Sequence, residues 1–456
     1  MNINAIGTLN RRLIFTALFV SAFLIECICV MLQQSSIDFL NPPFALVLTT
    51  KIVICGCCIW YYIKDECYTR TSFLSATIVL ILMLISMFRG LFAVEGYWGY
   101  KGWVNCVLSA LSFTLIFPLF SPIIAGKLLQ SWNKFIFPLF IFVGIWMVRF
   151  GSYPFQIPFI YYFYILLFTL AVSYPKARWI IISGTICTLI VLENRSAIIK
   201  TAIAIALCST LYLPRVLAKI SHITIHFFFY LLPIILFYLG ITGTFNVFKV
   251  LTNDEPKTVV WNSTPSNDIT DNKELTGDTR TFLYAEVLLS AIEGDYVIFG
   301  HSIGRGNTHG GEWTTDVEGM DSSERLMNEA EILNIFTWMG LVGVVLYTIM
   351  YLQASLLGLF FSKNRYIPLI ACTVAFHWAM LWIEECPSFR PMDFALFLLL
   401  GMCFSPRFRR MSDGEFKLWF FSCFASPREH TPYDSLKRLK LYYLIKLLKA
   451  RKNGKA

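Results

Sequence analysis

Apolar residues run along this chain in blocks, near 13–32, 44–63, 73–92, 106–125, 135–150, 157–174, 179–192, 196–213, 223–241, 332–352, 366–383 and 391–405. Roughly 20 apolar residues cross a bilayer as a helix, fewer where the helix is short or bent. The pattern therefore predicts an all-α integral membrane protein of about 12 transmembrane helices. Nine of them lie in 1–243 and three in 331–405, with a polar segment over 244–330 and a tail over 406–456. The first block, LIFTALFVSAFLIECICVML, is too long for a signal peptide and lacks a small-x-small cleavage site after it, so it reads as an uncleaved span.

The polar segment has a pattern of its own. GDTRTFLYAEVLLSAIEG, residues 277–294, spaces Phe282, Leu283, Val287, Leu288 and Leu289 as an amphipathic helix does, with Asp278 or Thr279 at its start to cap it. The expectation is a helix lying on the membrane. A glycine-rich turn, FGHSIGRGNTHGG, and an acidic stretch, DVEGMDSSERLMNEAE, follow it. DEPKTVVWNSTPSNDITDNKE, earlier in the segment, reads as loop. In the tail, SLKRLKLYYLIKLLKARKNGK alternates bases with apolar residues at helical spacing, the mark of an interfacial helix drawn to anionic lipid.

Charge orients this plan. With the N-terminus inside, Arg11/Arg12, Lys64/Arg70, Lys127/Lys134, Lys176/Arg178, Arg215/Lys219 and Lys363/Arg365 all fall in inner loops, as the positive-inside rule requires. Both termini are then cytoplasmic and 244–330 faces outward, which in a bacterium is the periplasm. Composition agrees: 56% of residues are hydrophobic, far above a soluble domain. The tail holds 13 Lys/Arg against 4 Asp/Glu, which accounts for the whole chain's formal +9. The partner of that charge is membrane lipid, not nucleic acid. Thirteen cysteines lie mostly in apolar segments and none lies in 244–330, so neither a disulfide framework nor a cysteine metal site is expected.

One interruption of the apolar pattern is expensive. LIVLENRSAIIK, residues 189–200, places Glu193, Asn194, Arg195 and Lys200 inside a long greasy run. The preceding block, Trp179 to Leu192, reaches only about 21 Å at ~1.5 Å per residue, short of a ~30 Å core. Glu193 and Arg195 therefore line an outward-facing cavity or form a buried pair. Arginine's planar fork suits phosphate, and Arg280, Arg305 and Arg325 stand on the same side, Arg280 at a helix start whose free N–H groups also favour anions.

ENRSAIIKTAIAIAL, GDTRTFLYAEVLLSAIEGDYVIFGHSIGRG and NEAEILNIFTWMGLVGVVLY occur in the order of three elements of the bacterial O-antigen ligase and Wzy-type O-antigen polymerase superfamily, which they resemble over roughly 195–350. The resemblance implies a metal-independent, cofactor-free glycosyltransferase with a GT-C-like membrane fold. It would act at the periplasmic face of the inner membrane on oligosaccharides carried by undecaprenyl pyrophosphate, beside a chain-length regulator and a flippase. It gives pyrophosphate binding to Arg195 and Arg280. Ligases carry a His-Asn pair about eleven residues before the first glycine of the later span; counting back from Gly340 reaches Glu329. The base is then Glu329, or a histidine of the turn, His301 or His309. Polymerase is the first expectation, ligase the second, and a polysaccharide transporter the third.

Overall fold

The computed structural model describes residues 3–33, 41–64, 73–136, 138–139, 195–241, 281–308, 324–383 and 387–423. The expected spans at 135–150, 157–174 and 179–192 lie outside the described residues, apart from the first few of them. The described chain is helical apart from one pair of two-residue strands. Its helices are α1 (Ile3–Gln33), α2 (Phe44–Lys64), α3 (Leu74–Ala93), α4 (Gly96–Leu111), α5 (Pro122–Ser131), α6 (Arg195–Ser209), α7 (Arg215–Ile241), α8 (Thr281–Glu293), α9 (Glu331–Phe360), α10 (Tyr366–Met380), α11 (Pro391–Phe404), α12 (Pro406–Arg410) and α13 (Asp413–Ser422). Among the described residues, six stretches are long and apolar enough to cross a membrane: Arg12–Gln33, Phe44–Lys64, Leu74–Ala93, Gly96–Leu119, Arg215–Leu239 and Glu331–Phe360; α10 and α11 are shorter apolar helices.

Several helices run past the limits that the pattern predicts, α1 from Ile3 and α9 to Phe360 among them, and two show why. The fourth span starts at Gly96, ten residues before the expected boundary, and runs through a 3-10 turn at Ser112–Leu115 to Leu119, where Ser121 and Pro122 open α5. GYWGYKGW looked like loop because its glycines and its lysine dilute the apolar signal. Lys101 nevertheless lies over the Phe44 and Trp98 rings, which lets its stem run along apolar surface. The helix expected from 223 begins at Arg215, because an exposed basic first turn carries no hydropathy.

Burial orders the bundle. Nearly every residue of α10 and of α11 is buried, Pro368 and Met392 being the exceptions, as befits helices that are apolar all round. α9 and α7 pack on α10, α9 and α1 on α11, while α3 packs on α9 and α2 on α1. On α3, Ala76, Val79, Leu80, Met83, Ser86 and Gly90 face inward, while Ile81, Ile85, Phe88 and Phe92 leave an apolar stripe exposed, the face a lipid would cover. The first part of the basic tail is packed as well: Phe416, Trp419 and Phe420 of α13 are buried, and Trp419 Nε1 donates to Pro122 O at 2.8 Å. The tail from 424, including the basic amphipathic stretch, lies outside the described residues.

Candidate functional site

α9 is two helices joined at a break. Gly340 has φ +66°, a conformation L side chains rarely adopt. Buried backbone groups freed by such a break must be satisfied within the protein. The glycine-rich turn satisfies them. Leu341 and Val342 donate to Val297 O and Ile298 O at 2.8 and 3.2 Å, and His301 N–H donates to Thr337 O at 2.7 Å. Gly300, at φ +69°, sits against the Trp338–Gly340 backbone. Arg89 clamps the turn from α3, donating to Phe299 O and Gly300 O at 3.2 and 3.1 Å, and Ser86 Oγ bridges Trp338 O and Ile303 N–H. The turn is thus a plug in a discontinuous helix.

A polar unit extends from the plug. The strands β1 (Asn307–Thr308) and β2 (Glu324–Arg325) pair antiparallel. Both oxygens of Glu324 engage the Arg305 guanidinium, and one also accepts from Gly306 N–H at 3.0 Å. Partial burial pushes the Glu324 carboxyl up, but the bonds from Arg305 and Gly306 outweigh it and hold it below its ordinary value. Glu286 of α8 takes Arg325 at 3.5 Å and Asn307 Nδ2 at 3.0 Å. Asn328 joins Asn307 to Asn334 of α9, and Asn334 reaches Glu331 at 3.5 Å. His301 stacks on Tyr296 and its Nδ1 lies 3.1 Å from Gly306 O.

A second group of charges gathers deeper in the same end of the bundle. Glu26 is fully buried, has Lys51 at 3.8 Å, and accepts no hydrogen bond at either oxygen among the described residues. Lys51 also reaches Ser388 Oγ at 3.4 Å. The turn at 388–390 is held by Asp393, which accepts from Ser388 and Arg390 N–H at 2.7 Å and pairs with the Arg390 guanidinium at 3.6 Å, while Phe389 is buried with φ +57°. Glu331 is buried within electrostatic reach of Asp393 and Arg390.

The structure thus unites Arg305 and Arg325 in one hydrogen-bonded unit, each already opposed by a carboxylate. Glu329 follows that unit, exposed, just before α9. Arg195 opens α6, with its side chain outside the description; Glu193, Arg280 and His309 lie outside the described residues. α8 follows directly on Arg280 and buries Leu283, Val287, Ser290 and Ala291, with its Tyr284 hydroxyl bonded to Trp382 O, so it is docked on protein along that stripe. The sequence reading passed over Glu331. Its i,i+3 relation to Asn334 across the start of a span was the available signal. Lys51 and Ser388 meet from positions 337 apart in the chain, a distance over which no local pattern shows a pairing.

Fold and site together define a helical protein with the features of a multi-pass membrane protein and a polar, charged end. No family model, curated protein or solved structure matches the chain.

Proposed function

We propose that this is a Wzy-type polysaccharide polymerase, a glycosyltransferase joining undecaprenyl-pyrophosphate-linked oligosaccharides at the periplasmic face of the inner membrane. One observation carries the reading. Two of the stretches that resemble the family, the Arg-led helix with its G-x-G turn and the span with its Gly-x-x-Gly, build a single unit through the Gly300 and Gly340 contact.

In the reaction, a hydroxyl of one lipid-linked glycan attacks the anomeric carbon of another. The new C–O bond forms as the bond to pyrophosphate breaks, and the electron pair leaves on undecaprenyl pyrophosphate. The proton of the hydroxyl passes to a base, with Glu329 and His309 as candidates. Arg195 and Arg280 neutralise the departing phosphates. Arg305 and Arg325 hold the turn through Glu324 and Glu286; a phosphate reaching either guanidinium must displace a carboxylate.

A transporter, the third expectation, gains support from the broken helix, since discontinuous helices line substrate sites in carriers. Against it, the backbone groups at this break are bonded to the plug and not open to a ligand. The surface glycan of a deletion strain separates the readings. A single repeat on the lipid A core supports a polymerase. Bare core with accumulated lipid-linked polymer indicates a ligase, and bare core with repeats held on the cytoplasmic leaflet a flippase.

A further inference from the structure

At the opposite end of α9, twenty residues and roughly 30 Å from the plug at ~1.5 Å per residue, a cavity of about 380 Å³ opens between the starts of α7 and α10 and the first residue of α13. Its size falls in the range of small-ligand sites. Arg215, Lys219, Lys363 and Arg365 line it, with Asp413 the one acid among the lining residues. Arg365 is spoken for: its Nε lies 3.3 Å from Asp413 Oδ2 and its backbone N–H donates to Oδ1 at 2.9 Å. Arg215, Lys219 and Lys363 have no acidic side-chain partner among the described residues. Three positive charges are therefore left facing one concavity, where mutual repulsion costs stability unless an anion enters.

The walls are built and not merely adjacent. Asn364, buried, ties the α9–α10 connection to α12 and its C-cap by donating to Phe408 O and Met411 O at 3.1 and 3.0 Å, while its Oδ1 accepts from Tyr366 and Ile367 N–H. His222 Nε2 lies 2.7 Å from Thr210 Oγ1, both buried, closing the inner side. Leu211, Leu213, Leu359, Phe360 and Pro368 supply an apolar part of the lining, and Val216, Ile220 and Phe361 beside the mouth are exposed, apolar and free to meet acyl chains.

We propose that this cavity binds the phosphate headgroup of an anionic phospholipid, its acyl chains lying along the exposed apolar face of α7. The proposal is independent of the polymerase reading. The chemistry is phosphate recognition by converging cations, at the end of the bundle that the positive-inside rule assigns to the cytoplasm, where basic pockets between spans take acidic headgroups.

The test is native mass spectrometry of the full-length protein in detergent with equal amounts of phosphatidylglycerol and phosphatidylcholine. The wild type is expected to retain phosphatidylglycerol preferentially. The combined Arg215→Gln, Lys219→Gln, Lys363→Gln variant is expected to lose that preference, by roughly fivefold for each cation removed, while Lys127→Gln with Lys134→Gln, on α5 and the helical turn that continues it, keeps it. Lys219→Gln and Lys363→Gln alone supply the answer if the triple variant does not fold. Undiminished retention in the variants, or equal loss in the α5 control, overturns the site. Millimolar inorganic phosphate raising the melting temperature of lipid-free protein as far as phosphatidylglycerol does, and only with the three cations present, overturns the lipid assignment in favour of free phosphate.

Discussion

Gly300 and Gly340 face each other backbone to backbone: a methyl group built on Gly300 would lie 2.5 Å from Gly340 N, and one built on Gly340 would lie 2.6 Å from Gly300 N. Both hold positive φ. Gly340→Ala therefore adds left-handed strain to a collision with the Ile298 backbone, and is expected to destabilise the protein by about 3 kcal/mol or more. Gly56→Ala, at an open position on helix α2, should be neutral or stabilise by about 0.5–1 kcal/mol. Thermal unfolding in detergent compares the two, and equal melting temperatures for wild type and Gly340→Ala would remove the plug from the account.

The Arg305–Glu324 pair gives a pH dependence of known sign. Glu324 is held below its ordinary carboxyl value of 4.5, so its contribution is fully present above that value and is lost as pH falls through the lower, folded one. Glu324→Gln is expected to cost about 1 kcal/mol at pH 7, between a surface pair and a charged hydrogen bond. The difference between wild type and variant should shrink as pH drops below 4.5. Unfolding midpoints from pH 7 to pH 3 measure it; a constant difference contradicts the assignment.

What could be read in advance follows from the range of each interaction. The pattern of 277–294 announced α8 because its periodicity is local, and α10 and α11 came within a few residues of their limits because both are apolar throughout. The break in α9 was hidden. MGLVG is an ordinary apolar run, and only the plug forty residues upstream makes Gly340 a discontinuity. Arg305 and Arg325 were read only as lying on the same side of the membrane, and their opposition by Glu324 and Glu286 depends on a strand pair two residues long. Glu331 and Glu329 differ by two positions, yet the first opens α9 and is buried while the second precedes the helix and is exposed.

Arg195→Ala is expected to abolish polymer formation while the protein stays inserted and abundant, with a fall in polymer of more than 100-fold if one charge-assisted contact to the leaving group is worth about 3 kcal/mol. Lys at 195 should rescue poorly for want of the bidentate fork. Long-chain glycan at wild-type level in the Ala variant would sink the pyrophosphate role.

For the base, purified variants given lipid-linked repeat units and assayed across pH decide among candidates. Glu329→Gln should stop turnover yet retain substrate if the carboxylate takes the proton, because Gln keeps shape and hydrogen bonding. His309→Ala should do so if the turn histidine takes it. Full activity in both leaves Arg195 and Arg280 to act by leaving-group stabilisation alone.

Orientation has its own measurement. A thiol introduced as Ser266→Cys, in a background without reactive cysteines, should label with an impermeant reagent in cells whose outer membrane alone is opened. Labelling only after the inner membrane is broken reverses the topology and removes a periplasmic reaction with it.

The hydrogen bond from Trp419 to Pro122 joins positions 297 residues apart, whereas the plug meets α9 across about forty. During synthesis the plug leaves the ribosome before α9 and can close as that helix arrives. The Trp419 contact cannot form until all but the last four described residues have been made. It is a late clasp by its place in the chain, and a probe placed on it reports the moment at which the bundle folds back on its own early helices.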